Sequence, residues 1–157
     1  MPIRVGIIGL SADPAAWTSA AHIAPLRASP DLSSKFTLTA LSTSSPETAV
    51  LAAEKWSLPA NKAYSSADAI ATDPEVDLVI VGVKLPAHRD LALPALKAGK
   101  DVFVEWPLAL GQAEIEELVQ AAKEGGGRTF VGLQARSSPV ILKVRLLATE
   151  PLFVYNY

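Results

Sequence analysis

"DLVIVGVKLPAHRDLALPALKAGKDVFVEWPLA", residues 77–109, decides the fold. Asp77 to Val83 is an apolar run too short for a helix, and it reads as a strand covered on both faces. Ala87 to Ala98 has helical spacing and ends at Gly99, where left-handed backbone is wanted. Val102 to Val104 is the next strand. A strand, a helix and a second buried strand in this order predict a parallel crossover.

The same order extends in both directions. Toward the N-terminus, Ile3 to Ile8 is a buried strand interrupted only by Arg4 and Gly6, and Gly9 ends it. Pro14 to Ala28 follows as a helix with Trp17, Ala21, Ala24 and Leu26 turned to the sheet. Phe36 to Leu41 is a strand, and Pro46 to Trp56 a helix with Ser45 as N-cap and Pro46 in its first turn. Tyr64 marks a short strand before a small helix, Ser66 to Ala71. Toward the C-terminus, Gln112 to Lys123 is a helix carrying Glu114, Glu116 and Glu117 in its early turns, stopped by Gly125-Gly126-Gly127. Thr129 to Leu133 is a sixth strand, and Ser138 to Ala148 a helix cut by Pro151. The predicted fold is α/β: a doubly wound parallel sheet in a single domain over residues 1–150. Residues 151–157, "PLFVYNY", read as a terminal strand, either the edge of this sheet or a strand pairing with a second subunit.

The bulk numbers agree with one compact domain. The 157 residues are 50% apolar and 19% charged, which excludes disordered and fibrous classes. A net charge of −2 without clustered Lys and Arg gives no basis for binding nucleic acid or an anionic membrane surface. Zero cysteines remove disulfides, thiolate metal sites and a cysteine nucleophile, and no metal site is expected. No signal-type segment and no apolar stretch of the ~20 residues that span a bilayer is present, so a cytoplasmic protein is expected.

In an open parallel sheet the ligand lies at the carboxyl ends of the strands. After the first strand comes "GIIGLSADPAAW", where Gly9 takes the first place of a dinucleotide fingerprint, Ser11 replaces its second glycine, and Ala12 to Ala15 lengthen the loop. A hydroxyl at Ser11 is available to a diphosphate; the alternative is a turn that binds nothing. The second strand ends in Leu41-Ser42-Thr43-Ser44-Ser45, with no Asp or Glu to grip a ribose, so the choice between NAD and NADP stays open. After the fourth strand, Lys84, Pro86, His88, Arg89 and Asp90 surround a helix start. His88 is either an acid or base or a packing residue of that first turn. His22, mid-helix, is expected against the sheet. After the sixth strand, Gln134 and Arg136 stand in apolar surroundings, and Arg136 serves either as an anion clamp or as the partner of Glu105. Glu105 needs such a partner if it is buried.

Together "VGIIG", residues 77–109 and "FVGLQARSSP" resemble the N-terminal domain of the glucose-fructose oxidoreductase and inositol dehydrogenase (Gfo/Idh/MocA) family. The lengthened glycine loop, His22 and Glu105-Trp106-Pro107 look most like the branch that includes the yeast galactose-pathway repressor. The resemblance implies a Rossmann domain for NAD(P), followed in the family by an α/β domain that holds substrate and forms dimers. It places Gly9, Ser11, Ser42, Lys84, Pro86, Glu105, Trp106 and Gln134 at the cofactor. The family's enzymes have Glu-Lys-Pro, and their lysine assists proton transfer; Trp106 stands in its place, and an indole N–H does not titrate. The second domain is absent from this sequence, which implies an exposed apolar face and a homodimer to cover it. The expected function is a cleft reused on a small molecule without net hydride transfer, with Glu105, His88, Asp90 and Arg136 as the reacting groups. Two alternatives stand beside it: a non-catalytic NAD(P)-sensing or protein-binding module, and a residual oxidoreductase.

Overall fold

The computed structural model describes residues 1–149. The strands are β1 (Ile3–Ile8), β2 (Phe36–Ser42), β3 (Ala63–Tyr64), β4 (Leu78–Val81), β5 (Asp101–Glu105) and β6 (Thr129–Gly132). They form one sheet in the order β3-β2-β1-β4-β5-β6, with every pairing parallel. That is the doubly wound order in which the chain reverses direction across the sheet between β1 and β4, opening a crevice at their carboxyl ends.

The helices are α1 (Ala24–Ala28), α2 (Pro30–Lys35), α3 (Pro46–Trp56), α4 (Ala67–Thr72), α5 (His88–Lys97), α6 (Gln112–Gly125) and α7 (Pro139–Thr149). Small buried side chains let the layers close. On one face Val5, Ile7 and Leu41 pack with Ile23 and with Ala49, Ala52, Ala53 and Trp56 of α3. On the other, Val79, Val81, Val102 and Val104 pack with α4, α5 and α6 through Ile70, Ala92, Leu96 and Leu118. Ser45 caps α3 by accepting from Thr48 N, as the sequence predicts, and Gly99 after α5 has φ +71.

The first helix departs from expectation. It runs over 17–28, its turn Ser19–Ile23 is π-helical, and α2 follows it. A π turn inserts one residue and rotates the faces that follow. The buried positions are therefore Thr18, Ser19 and Ile23, while Trp17 is 59% exposed and Ala24 is exposed. The terminal strand expected at 151–157, the cut at Pro151 and the role assigned to both lie outside the described residues.

Ion pairs gather at the opposite, amino edge of the sheet. Arg4 at the start of β1 forks onto Asp77 before β4, at 2.9 Å from Nε and 2.6 Å from Nη2. Arg128 before β6 holds Asp101 at the start of β5. Lys62 before β3 and the Tyr64 hydroxyl both donate to Asp73. These charges join strand starts and leave the carboxyl ends open. The Arg4 guanidinium holds the Asp77 carboxyl down at about 2, against an ordinary 3.8. A depressed acid stabilises the fold above its unfolded pKa and loses that contribution as pH falls through the folded value. Asp77→Asn should accordingly flatten the acid limb of the stability curve between about pH 4 and 2. Because the Asp77 side chain is 40% exposed, the loss at neutral pH should stay under about 1 kcal/mol. Denaturant midpoints measured across that pH range check it.

Candidate functional site at the carboxyl edge

Gly9 ends β1 with φ +90, a conformation that disfavours any side chain. A Cβ there would stand 2.6 Å from both the Gly82 carbonyl oxygen and Val83 Cγ1, so the loops after β1 and β4 approach as closely as glycine permits. Thr18 Oγ1 donates to that same Gly82 carbonyl at 2.7 Å and pins the first helix onto the β4 loop. The long loop between is ordered by its own turn: Asp13 Oδ1 accepts from Ala15 N, and Ser11 O accepts from the Trp56 indole at 2.7 Å.

Two clefts lie along this edge and share Val83. The first, of about 590 Å³, is walled by Gly9, Ser11 and Ala12 after β1, Ser42 to Ser44 after β2, Thr48 and Leu51 of α3, Ser65, and Lys84 with Leu91 beyond β4. The second, of about 490 Å³, is walled by Trp17, Glu105, Trp106 and the run Gly132 to Arg136. Volumes of this order suit a cofactor or metabolite.

Glu105, 6% exposed, is the acid of the second cleft. His22 Nε2 lies 2.6 Å from its Oε1, and Gln134 Nε2 donates to Oε2. The π turn brings His22 onto the end of β5, where its ring also meets Phe103 edge-on at 5.4 Å. Gly132, paired with Glu105 in the β5–β6 register, leaves room for the carboxylate: a Cβ there would come within 3.1 Å of Oε2. Glu105 is thus a buried carboxylate with both oxygens engaged, and its partners are His22 and Gln134 rather than Arg136. Arg136 has no acidic partner among the described residues and faces the same cleft.

His88 and Asp90 take other places. His88 is 1% exposed, and its ring nitrogens each lie 2.9 Å from a carbonyl oxygen, Nδ1 from Pro107 and Nε2 from Val83. It ties the loop after β4 to the loop after β5 and so fixes the separation of Val83 and Trp106 across the second cleft. Asp90 pairs with Arg89 at 2.6 Å on the exposed side of α5, outside both clefts. Pro86 likewise lines neither. The remaining predicted residues come together: Gly9, Ser11, Ser42 and Lys84 in the first cleft, and Glu105, Trp106, Gln134 and Arg136 in the second. The sequence reading missed His22 as a site residue. A buried Glu105 called for a partner, but one 83 positions away is chosen by the π turn and not by any spacing.

Among the described residues no group of three or more His, Asp or Glu side chains is placed to hold a metal ion, and no helix is long and apolar enough to cross a membrane.

Comparison with known proteins bears on both clefts. The family model GFO_IDH_MocA, an oxidoreductase family with an NAD-binding Rossmann fold, matches residues 3–133. The dehydrogenase aclE of Aspergillus oryzae is 48% identical over 91% of the chain and 39% of its own length. The galactose/lactose metabolism regulatory protein GAL80 of Saccharomyces cerevisiae is 30% identical over 95% of the chain and 35% of its own length. A crystal structure of a super-repressor mutant of Gal80p superposes with TM-score 0.80 over 94% of the chain and 38% of that protein. The chain thus spans well under half the length of these relatives.

Proposed function

Since this chain belongs to the GFO_IDH_MocA oxidoreductase family, whose Rossmann fold binds NAD, we propose that its carboxyl edge holds a nicotinamide dinucleotide. The adenosine end takes the first cleft and the reacting end the second. The residues suit the group: Gly9 leaves the backbone bare at the β1 turn, and Leu51 and Leu91 offer apolar walls. When bound, the dinucleotide supplies hydride chemistry at its nicotinamide.

We further propose that Glu105 is the acid–base group of this site, acting on a small anionic molecule without net hydride transfer. The observation that carries the reading is the pairing of Glu105 with His22 at the floor of a cleft whose rim residue, Trp106, cannot titrate. The Glu105 carboxylate takes a proton from a carbon beside a carbonyl and returns it to a neighbouring atom, so the substrate is isomerised and no electrons are gained or lost. His22 holds the carboxylate in place and shares its charge. Trp106, 64% exposed, and Trp17 offer flat apolar walls, and Arg136 clamps the anionic end of the substrate.

Incubating the protein with NAD(P) and a panel of keto acids and sugar acids in D₂O tests this. Carbon-bound deuterium or an isomerised product, with nicotinamide absorbance unchanged, is the expected result. A stoichiometric change in that absorbance favours instead the second reading, an oxidoreductase in which Glu105 and His22 supply the proton, supported by the 48% identity to a dehydrogenase. Binding without any exchange or turnover favours a regulatory module. The support for that reading is the likeness to GAL80 together with the exposed Val140, Val144 and Leu147 of α7, a face for a homodimer or another protein.

A further inference from the structure

We infer that the first cleft selects a dinucleotide phosphorylated on its adenosine ribose, with Lys84 as the cation that reads the phosphate; this rests on the proposal that the chain binds a nicotinamide dinucleotide. Three observations converge on it.

The first concerns what would exclude a phosphate. Recognition of an unphosphorylated ribose uses a carboxylate at the end of the second strand, which accepts from both hydroxyls and repels a phosphate. Here β2 ends at Ser42 and runs into Thr43 and Ser44, and no Asp or Glu lines the cleft among the described residues. Nothing on the wall opposes a second negative group.

The second concerns what would hold one. Ser44 and Ser65 face the cleft from two different loops, and their hydroxyls have no intramolecular hydrogen-bond partner among the described residues. Thr43 after β2 and Thr48 in the first turn of α3 are bonded to each other at 2.8 Å and line the same wall. Hydroxyls donate to a phosphate oxygen as readily as to a ribose, and α3, capped by Ser45, begins at the same wall.

The third is the charge. Lys84 alone among the residues lining the cleft is ionised, and it has no acidic partner among the described residues. It reaches the cleft from the loop after β4, across from the hydroxyls after β2. The sequence by itself shows hydroxyls at the end of β2 with no cation adjacent; the fold supplies one from a loop some forty residues further on. A lysine acts on phosphate as a point charge and needs no exact fork geometry.

Titration calorimetry on the full chain tests this with four probes: NAD, NADP, adenosine 2′,5′-bisphosphate and adenosine 3′,5′-bisphosphate. NADP should bind about tenfold or more tightly than NAD, and the 2′,5′ compound more tightly than its equally charged 3′,5′ isomer. Lys84→Met should lower affinity for NADP by about tenfold more than it lowers affinity for NAD. Equal binding of the two bisphosphates would mean a general anion patch and overturn the assignment. So would NAD binding as tightly as NADP, or a Lys84→Met loss shared equally by both dinucleotides; in these cases the dinucleotide site itself survives. If none of the four probes binds, the dinucleotide proposal and the phosphate reading fall together.

Discussion

Gly9→Ala is expected to destabilise the protein by about 2–6 kcal/mol and to remove dinucleotide binding. Two costs add. A non-glycine residue held at φ +90 carries roughly 1–3 kcal/mol of backbone strain. The new Cβ must also displace the Gly82 carbonyl and the Val83 side chain, each 2.6 Å away, and overpacking of this kind costs roughly 1–3 kcal/mol. Relief by parting the β1 and β4 loops would deform the shared wall of both clefts, so affinity falls with stability. Gly126→Ala separates the terms. Gly126 has φ +79, but a Cβ there would meet no heavy atom of the described residues within 4 Å, so Gly126→Ala should show only the conformational cost, about 1 kcal/mol. Thermal or denaturant unfolding of the two variants checks the difference. Equal effects would mean that the close approach at the crevice does not matter.

Glu105→Gln should leave the fold nearly intact and stop the chemistry. The amide keeps the shape of the carboxyl, can accept from Gln134 and can bond His22 through its NH₂ group, so stability should change by no more than about 1–2 kcal/mol. It cannot take up a proton. Removing a general base typically costs 10²- to 10⁴-fold, so deuterium exchange or turnover should drop by roughly that much. Glu105→Leu would confuse the two effects, since it strands His22 and Gln134 without their acceptor. His22→Gln should be milder: its amide can still donate to the Glu105 carboxylate but holds it less rigidly than the ring does, slowing exchange by roughly tenfold. Unaltered exchange in Glu105→Gln would remove Glu105 from the chemistry.

Much of the fold was legible because its signals are local. The apolar runs at Ile3–Ile8 and Leu78–Val81, Ser45 before α3 and Gly99 after α5 each specify an element from a few adjacent residues. The first helix was harder to read because a π turn leaves no mark in spacing; it moved Trp17 from an expected core position to the rim of the second cleft. The same limit governs the site. Gly9, Glu105, Trp106 and Gln134 sit at strand ends and could be placed from the strand pattern alone. Which residues face each other across loops could not: Lys84 opposite the β2 hydroxyls and His22 beneath Glu105 are set by sheet order and helix rotation. His88 illustrates the reverse. Its position at a helix start admitted an acid–base role, whereas its two carbonyl partners give it the work of joining two loops.

The nicotinamide end of a bound dinucleotide is expected to lie against Trp106 in the second cleft. Indole emission of the protein titrated with reduced dinucleotide measures it directly, because energy passes from an excited indole to a nearby reduced nicotinamide. Saturable quenching with sensitised nicotinamide emission is expected, both in the whole protein and in a Trp17→Phe, Trp56→Phe variant that keeps only the Trp106 indole. Unsaturable quenching, or the absence of transfer from Trp106 in that variant while the dinucleotide still binds, would contradict it.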